Sequence, residues 1–155
     1  MCEPNSLCFE LLKGAPAAAV ALVIGAIAGY VAWRQYAVAK AKLNFDLFAK
    51  RLAIYDATIF FIERGGENLH NPAPYCINFN NDTAAAKFLF GPEVATYIEN
   101  VRKTYFDMAR MHQNLKPGDP EGAVKEITKK DEWLRAQLTD AKAVFGKYLD
   151  FSKWP

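Results

Sequence analysis

The sequence predicts an all-α protein in which one N-terminal transmembrane helix continues into a cytoplasmic, antiparallel three-helix coiled-coil bundle. The run Ala15–Trp33 contains no charged residue, and about 20 apolar residues suffice to cross the hydrocarbon core of a bilayer. Beyond this run, apolar residues recur at intervals of three and four in three later segments, which is the spacing of helices that pack in coiled coils. Short stretches rich in Pro, Gly and Asn separate these segments, as expected of helix breaks.

The apolar run is predicted to be a retained membrane anchor, with residues 1–14 as a short extracytoplasmic leader and residues 15–36 as the transmembrane helix. A cleaved signal peptide begins with basic residues, whereas this leader carries two acidic residues and a single base, Lys13. Three aromatic residues gather at the far end of the run, as aromatic residues do at the level of the lipid headgroups. These predicted interface anchors are Tyr30, Trp33 and Tyr36.

Basic residues are distributed unevenly about the apolar run. Five Lys or Arg residues follow it closely, whereas Lys13 alone precedes it. The positive-inside rule then predicts a bacterial inner-membrane protein with its N-terminus outside and its C-terminal part in the cytoplasm. The same five residues are expected to face anionic headgroups. This basic cluster consists of Arg34, Lys40, Lys42, Lys50 and Arg51.

One face of the predicted transmembrane helix is lined by small residues at every fourth position. Small residues let two helix backbones approach closely, so that van der Waals contact can drive association in lipid. We therefore expect this face to contact other transmembrane helices or a second copy of the chain. The predicted association ridge consists of Ala17, Ala21, Gly25 and Gly29.

Residues 37–155 are predicted to form the cytoplasmic bundle. The first helix carries two apolar faces, which predicts two packing partners, and Gly65 or Gly66 is expected to cap it in the left-handed conformation. Short connections make successive helices antiparallel, so the next long helix should run opposite to the first. The predicted helices are about 37–63, 83–90, 92–115 and 120–149, with a loop at 65–82.

Asp131 is the one polar residue in the apolar seam of the last predicted helix. It either is buried and fixes the helix register, or it reaches solvent where the seam frays. The register reading requires a basic partner on another helix, and the candidates are Arg102, Arg110, Lys50 and Arg51. The C-terminal residues Phe151 and Trp154 are unusually aromatic for a chain end, and they are expected to fold onto the bundle or to dock on a partner.

Three short patterns resemble a group of bacterial single-pass membrane proteins that have no assigned activity. They are Phe45–Tyr55 (FDLFAKRLAIY), Lys87–Glu93 (KFLFGPE) and Tyr148–Ser152 (YLDFS). In the first pattern Phe45 stands where the group has Leu. The resemblance implies an N-terminal span followed by a cytoplasmic helical domain, and it implies no mechanism.

The sequence offers no motif for catalysis, and we predict neither an enzyme nor a metal or cofactor site. The histidines and cysteines lack the spacing of zinc, haem or thiol–disulfide motifs. These residues are His70, His112, Cys2, Cys8 and Cys76. A net charge of +2 does not favour a nucleic-acid partner.

The expected partners are therefore the lipid bilayer, other transmembrane helices or a homo-oligomer, and proteins that contact the bundle. The function expected from these features is that of a non-catalytic accessory, scaffold or assembly subunit of a membrane complex. The alternative is a self-oligomerising membrane effector of a defence or stress response.

Overall fold

A computed structural model describes residues 7–116, 118 and 121–150, with side chains from residue 15 onward. Within these residues every regular element is helical, in agreement with the predicted all-α class. The helices are α1 (Leu7–Arg64), a 3-10 turn (Gly65–Asn68), α2 (Pro72–Thr83), α3 (Ala86–Leu89), α4 (Pro92–Asn114) and α5 (Glu121–Leu149). The chain divides into two units, Met1–Asn44 and Phe45–Pro155.

The described residues of unit 1, from Leu7 onward, all belong to the N-terminal part of α1. It includes the one helical stretch, among the described residues, that is long and apolar enough to cross a membrane. The most apolar part of that stretch has no residue buried within the chain. Pro16 lies inside the helix, which begins at Leu7, and not in a first turn. Its missing N–H therefore removes one hydrogen bond from the helical ladder.

Unit 2 is built from the last part of α1 (residues 45–64, called α1b below) together with α2 to α5. The apolar residues of α4 recur at the helical spacing read from the sequence; the last of them, Leu115, is only partly buried, and five others are buried. They are Val94, Tyr97, Val101, Tyr105 and Met108. On α1b the most buried residues are Ile54, Thr58, Phe61 and Ile62. The buried Thr58 hydroxyl has a hydrogen-bond partner within its own helix, because it donates to the Ile54 carbonyl at 2.8 Å.

The helix directions in unit 2 differ from the predicted antiparallel three-helix arrangement. Near its start α1b contacts Leu89, just before α4 begins, and near its end it contacts Tyr105 in the second half of α4. α4 therefore runs parallel to α1b. α5 runs antiparallel to both, since its C-terminal Tyr148 contacts Arg51 of α1b and also bonds Gly91.

The reason for the difference is the stretch predicted as the loop 65–82, which is mostly helical. α2 and α3 lead the chain back along α1b, so that α4 starts again beside the beginning of α1b. Phe61 stacks on Tyr75 and Phe79 of α2, with ring centroids 4.7 and 3.9 Å apart. Four residues of α2 at intervals of four, three and four form its buried face, namely Pro72, Cys76, Phe79 and Thr83.

The predicted left-handed cap at the end of α1 is also wrong. The chain continues from Arg64 directly into the 3-10 turn, with both flanking residues in right-handed helical conformation. Gly65 matters for another reason, because an added Cβ would lie only 3.1 Å from the Tyr105 ring and the ring would have to shift. The glycine lets the turn pack directly on α4.

Candidate functional site

The predicted association ridge lies on a helix surface that the chain itself leaves open. Ala17, Ala21, Gly25 and Gly29 are all exposed, and a Cβ added at either glycine would meet no atom within 4 Å. The predicted interface anchors are exposed as well. Two of them, Tyr30 and Trp33, contact each other with ring centroids 6.2 Å apart.

The residues of the predicted basic cluster do not all lie in the same environment. Arg34, Lys40, Lys42 and Lys50 are exposed and can face headgroups or solvent. Arg51 is half-buried in unit 2 and is not a headgroup-facing residue. Its Nε donates to the Leu89 carbonyl at 2.9 Å, and one Nη donates to the Tyr148 carbonyl at 3.4 Å.

The surroundings of Arg51 explain why it faces inward. Its guanidinium carbon lies 5.9 Å from the centre of the Phe90 ring and 5.5 Å from the centre of the Tyr148 ring. These distances permit cation–π attraction to both rings. The planar guanidinium can bond two carbonyls while it contacts aromatic faces, which a lysine ammonium cannot do. Arg51 therefore ties α1b to the end of α3 and the end of α5.

Tyr148 connects a second set of groups at the same end of unit 2. Its hydroxyl donates to Glu93 at 2.6 Å and accepts from the Gly91 amide at 2.8 Å. Lys147 forms an ion pair with the same carboxylate. Hydrogen bonds from Lys147 and Tyr148 lower the pKa of Glu93 to about 2. The three patterns that carry the sequence resemblance thus each supply a residue to this junction: Arg51, Gly91 and Tyr148.

Asp131 is not the buried register residue that was one of its two predicted readings. Its side chain is 35% exposed and bonds Arg135 of its own helix at 2.8 Å. The buried polar residue of α5 is instead Gln137, whose backbone carbonyl accepts a 2.8 Å hydrogen bond from the Tyr97 hydroxyl. Phe151 and Trp154 lie outside the described residues.

A groove of about 400 Å³ opens between α1b and α2. Its aromatic side contains Phe60, which is 58% exposed, together with Tyr75 and Phe79. Its polar side contains Asn78 and two carboxylates, Asp56 from α1b and Asp82 from α2. Because the two helices are antiparallel, the two carboxylates lie at the same end of the groove.

The groove residues were missed in the sequence because α2 was predicted to be a loop. Once α2 is helical, Tyr75, Asn78, Phe79 and Asp82 follow at intervals of three, one and three, and they share one helix face. Tyr75 is fixed by donating to the carbonyls of Phe60 and Phe61 at 3.2 and 2.9 Å. Partial burial raises the pKa of its phenol, so the hydroxyl stays a donor at physiological pH.

Two histidines that are far apart in the sequence come together at the other end of unit 2. The rings of His70 and His112 meet edge-on with centroids 5.2 Å apart. Gln113 holds the His70 backbone by donating to its carbonyl at 3.0 Å. Among the described residues, no three His, Cys, Asp or Glu side chains are grouped so that they could hold a metal ion.

Comparisons of the chain with protein-family models, with curated proteins and with solved structures found no match. The geometry of the chain itself is therefore the basis for any functional conclusion. The described residues include an exposed apolar helix, a tightly bonded junction around Arg51 and Tyr148, and an open groove with an acidic end.

Proposed function

We propose that the chain is a non-catalytic accessory, scaffold or assembly subunit of a membrane protein complex. It is anchored by a single span and acts through helix–helix contacts. The observation that carries this proposal is the uncharged stretch Ala15–Trp33, whose described side chains are all exposed within the chain. So large an apolar surface is not stable in water and requires lipid or protein around it. The resemblance to bacterial single-pass proteins agrees with this architecture.

The proposed location is a bacterial inner membrane, with the N-terminus outside and unit 2 in the cytoplasm. The support comes from Arg34, Lys40, Lys42 and Lys50, which remain exposed after Arg51 is removed from the cluster. Four bases against Lys13 still favour this orientation. Fusing reporters to Pro155 tests it. We expect a cytoplasmic reporter to be active and a periplasmic phosphatase to be inactive, and the reverse pattern would overturn the orientation.

The association ridge is proposed to be the contact with other transmembrane helices. Gly25 and Gly29 have open space around them, so replacing both by Ile leaves the packing within the chain unchanged. The double variant should co-purify with fewer partners, or with less of its own second copy, in mild detergent. The matched control replaces Ala19 and Ala26, which lie away from the ridge, by Ile. Equal recovery from the ridge and control variants would refute a contact at the ridge.

A further inference from the structure

We propose that the groove between α1b and α2 binds a short amphipathic helix of a partner protein, which places a Lys or Arg between Asp56 and Asp82 and an apolar side chain against Phe60. The inference deepens the proposed role as a contact-making subunit, and it rests on that role only in that the occupant is a protein segment. The groove, its carboxylates and its exposed aromatic side each define part of the occupant.

The carboxylates define the charge of the occupant. Asp56 and Asp82 come from different helices and line the same end of the groove. Both are exposed, and in the part of the chain that the structure describes neither has an ion pair or hydrogen-bond partner. Two unpaired anions at one position favour a cationic group.

The aromatic side defines the apolar part of the occupant. Phe60 is 58% exposed, although Phe61 beside it is fully enclosed by aromatic rings. Phe60 is therefore not needed to fill the core. Aromatic residues are enriched at the centres of protein interfaces, where they supply a large apolar area. A side chain of Leu or Met size would cover the exposed face of this ring.

The spacing within the groove defines the shape of the occupant. Asp56 and Phe60 are four residues apart on α1b and thus lie one helical turn from each other. A helix lying along the groove would present a cationic and an apolar residue with the same one-turn spacing. Docking of an amphipathic helix into a groove between two helices is a common mode of peptide recognition. The volume of about 400 Å³ accommodates one or two side chains from such a helix.

The test is a titration of the full chain in neutral detergent micelles with two capped Ala-based helical peptides. Both carry Leu followed four residues later by a test residue, which is Arg in one peptide and its uncharged isostere citrulline in the other. Binding is followed by the amide chemical shifts of Ala57 and Asn78, which line the groove. We expect the Arg peptide to shift these signals. Its affinity should exceed that of the citrulline peptide about two- to fivefold for each carboxylate that the Arg contacts.

Variants of the chain test whether the groove residues are responsible for peptide binding. Replacing both Asp56 and Asp82 by Asn should abolish the preference for Arg over citrulline, whereas Asp46→Asn removes the same charge from α1b outside the groove and should leave the preference intact. Phe60→Ala should weaken both peptides. The matched change Phe106→Ala, at an exposed aromatic residue of α4, should weaken neither.

Several results would overturn the inference. They are equal binding of both peptides, no shift of the groove signals at millimolar peptide, and the same loss from Asp46→Asn as from the double variant. If the Arg peptide binds only after residues 151–155 are deleted, the chain's own tail is the occupant and a partner helix is not. Since the peptides are soluble and no membrane partner is required, failure here leaves the role of the ridge untouched.

Discussion

Replacing Arg51 by Met should destabilise unit 2 substantially, although the sequence marks this residue as one of several surface bases. The change removes a charged hydrogen bond to Leu89, a longer one to Tyr148 and two ring contacts. A charged hydrogen bond contributes about 1.5–3 kcal/mol, and each cation–π contact at an exposed site about 0.5–1 kcal/mol. Because Arg51 is only half-buried, we expect a loss of about 2–3 kcal/mol in total.

The assay is thermal unfolding of the full chain in detergent, followed by near-ultraviolet circular dichroism of the packed aromatic residues. For a domain of about 100 residues the expected loss corresponds to a drop in Tm of about 8–24 °C. Lys50→Met is the matched control, since Lys50 is the adjacent exposed base, and it should change stability by less than about 0.5 kcal/mol. Arg51→Lys keeps the charge and should still lose most of the stability. Equal Tm values for the Met variants at positions 50 and 51 would refute the assigned role of Arg51.

Three further predictions concern unit 2. Gly91→Ala places a Cβ against the Tyr148 hydroxyl and should lower the free energy of unfolding by about 1–2 kcal/mol, whereas Gly66→Ala, in open space, should be nearly neutral. The pKa of Glu93 is about 2 in the folded chain, against an ordinary value of 4.5 for a glutamate. Its contribution to stability is therefore complete above about pH 5 and is lost as the pH falls toward 2, so acid unfolding of Glu93→Gln should depend less on pH in that window. Cys76 is buried, and burial raises the pKa of its thiol. Iodoacetamide should therefore alkylate it only after denaturant is added, as measured by peptide mapping. Prompt labelling of the folded chain would contradict the buried position of Cys76.

The long helices could be predicted because their apolar residues recur at the helical period over many turns, with Asp131 as the one polar residue in the seam of α5. In α4 the seam from Val94 to Met108 is buried as its spacing indicates. α2 was missed because Pro, Asn and Asp dominate its composition and because its two prolines suggested a loop. Proline is well accepted in the first turn of a helix, where both prolines of α2 lie. That single error also reversed the predicted direction of α4.

The functional residues were harder to predict, for a physical reason that Arg51 illustrates. Its position after an apolar run is typical of a base that faces headgroups. Its hydrogen bonds to Leu89 and Tyr148 are to backbone carbonyls, which every residue has and which leave no trace in the sequence. Asp131 presents the opposite case, because its partner Arg135 stands four residues away. That pairing could be read from the helical period alone.

The composition of α2 has a consequence for how unit 2 opens. Asn78, Asn80 and Asn81 have weak intrinsic preference for helix, so α2 is helical mainly because its buried face packs on α1b and α4. Such an element is among the first to open locally in the native state. In hydrogen–deuterium exchange its amides should therefore exchange well before those in the middle of α4. One wall of the groove is thus formed by a helix that depends on tertiary packing for its structure. A peptide segment bound in the groove should therefore slow amide exchange in α2 before it changes exchange in any other helix.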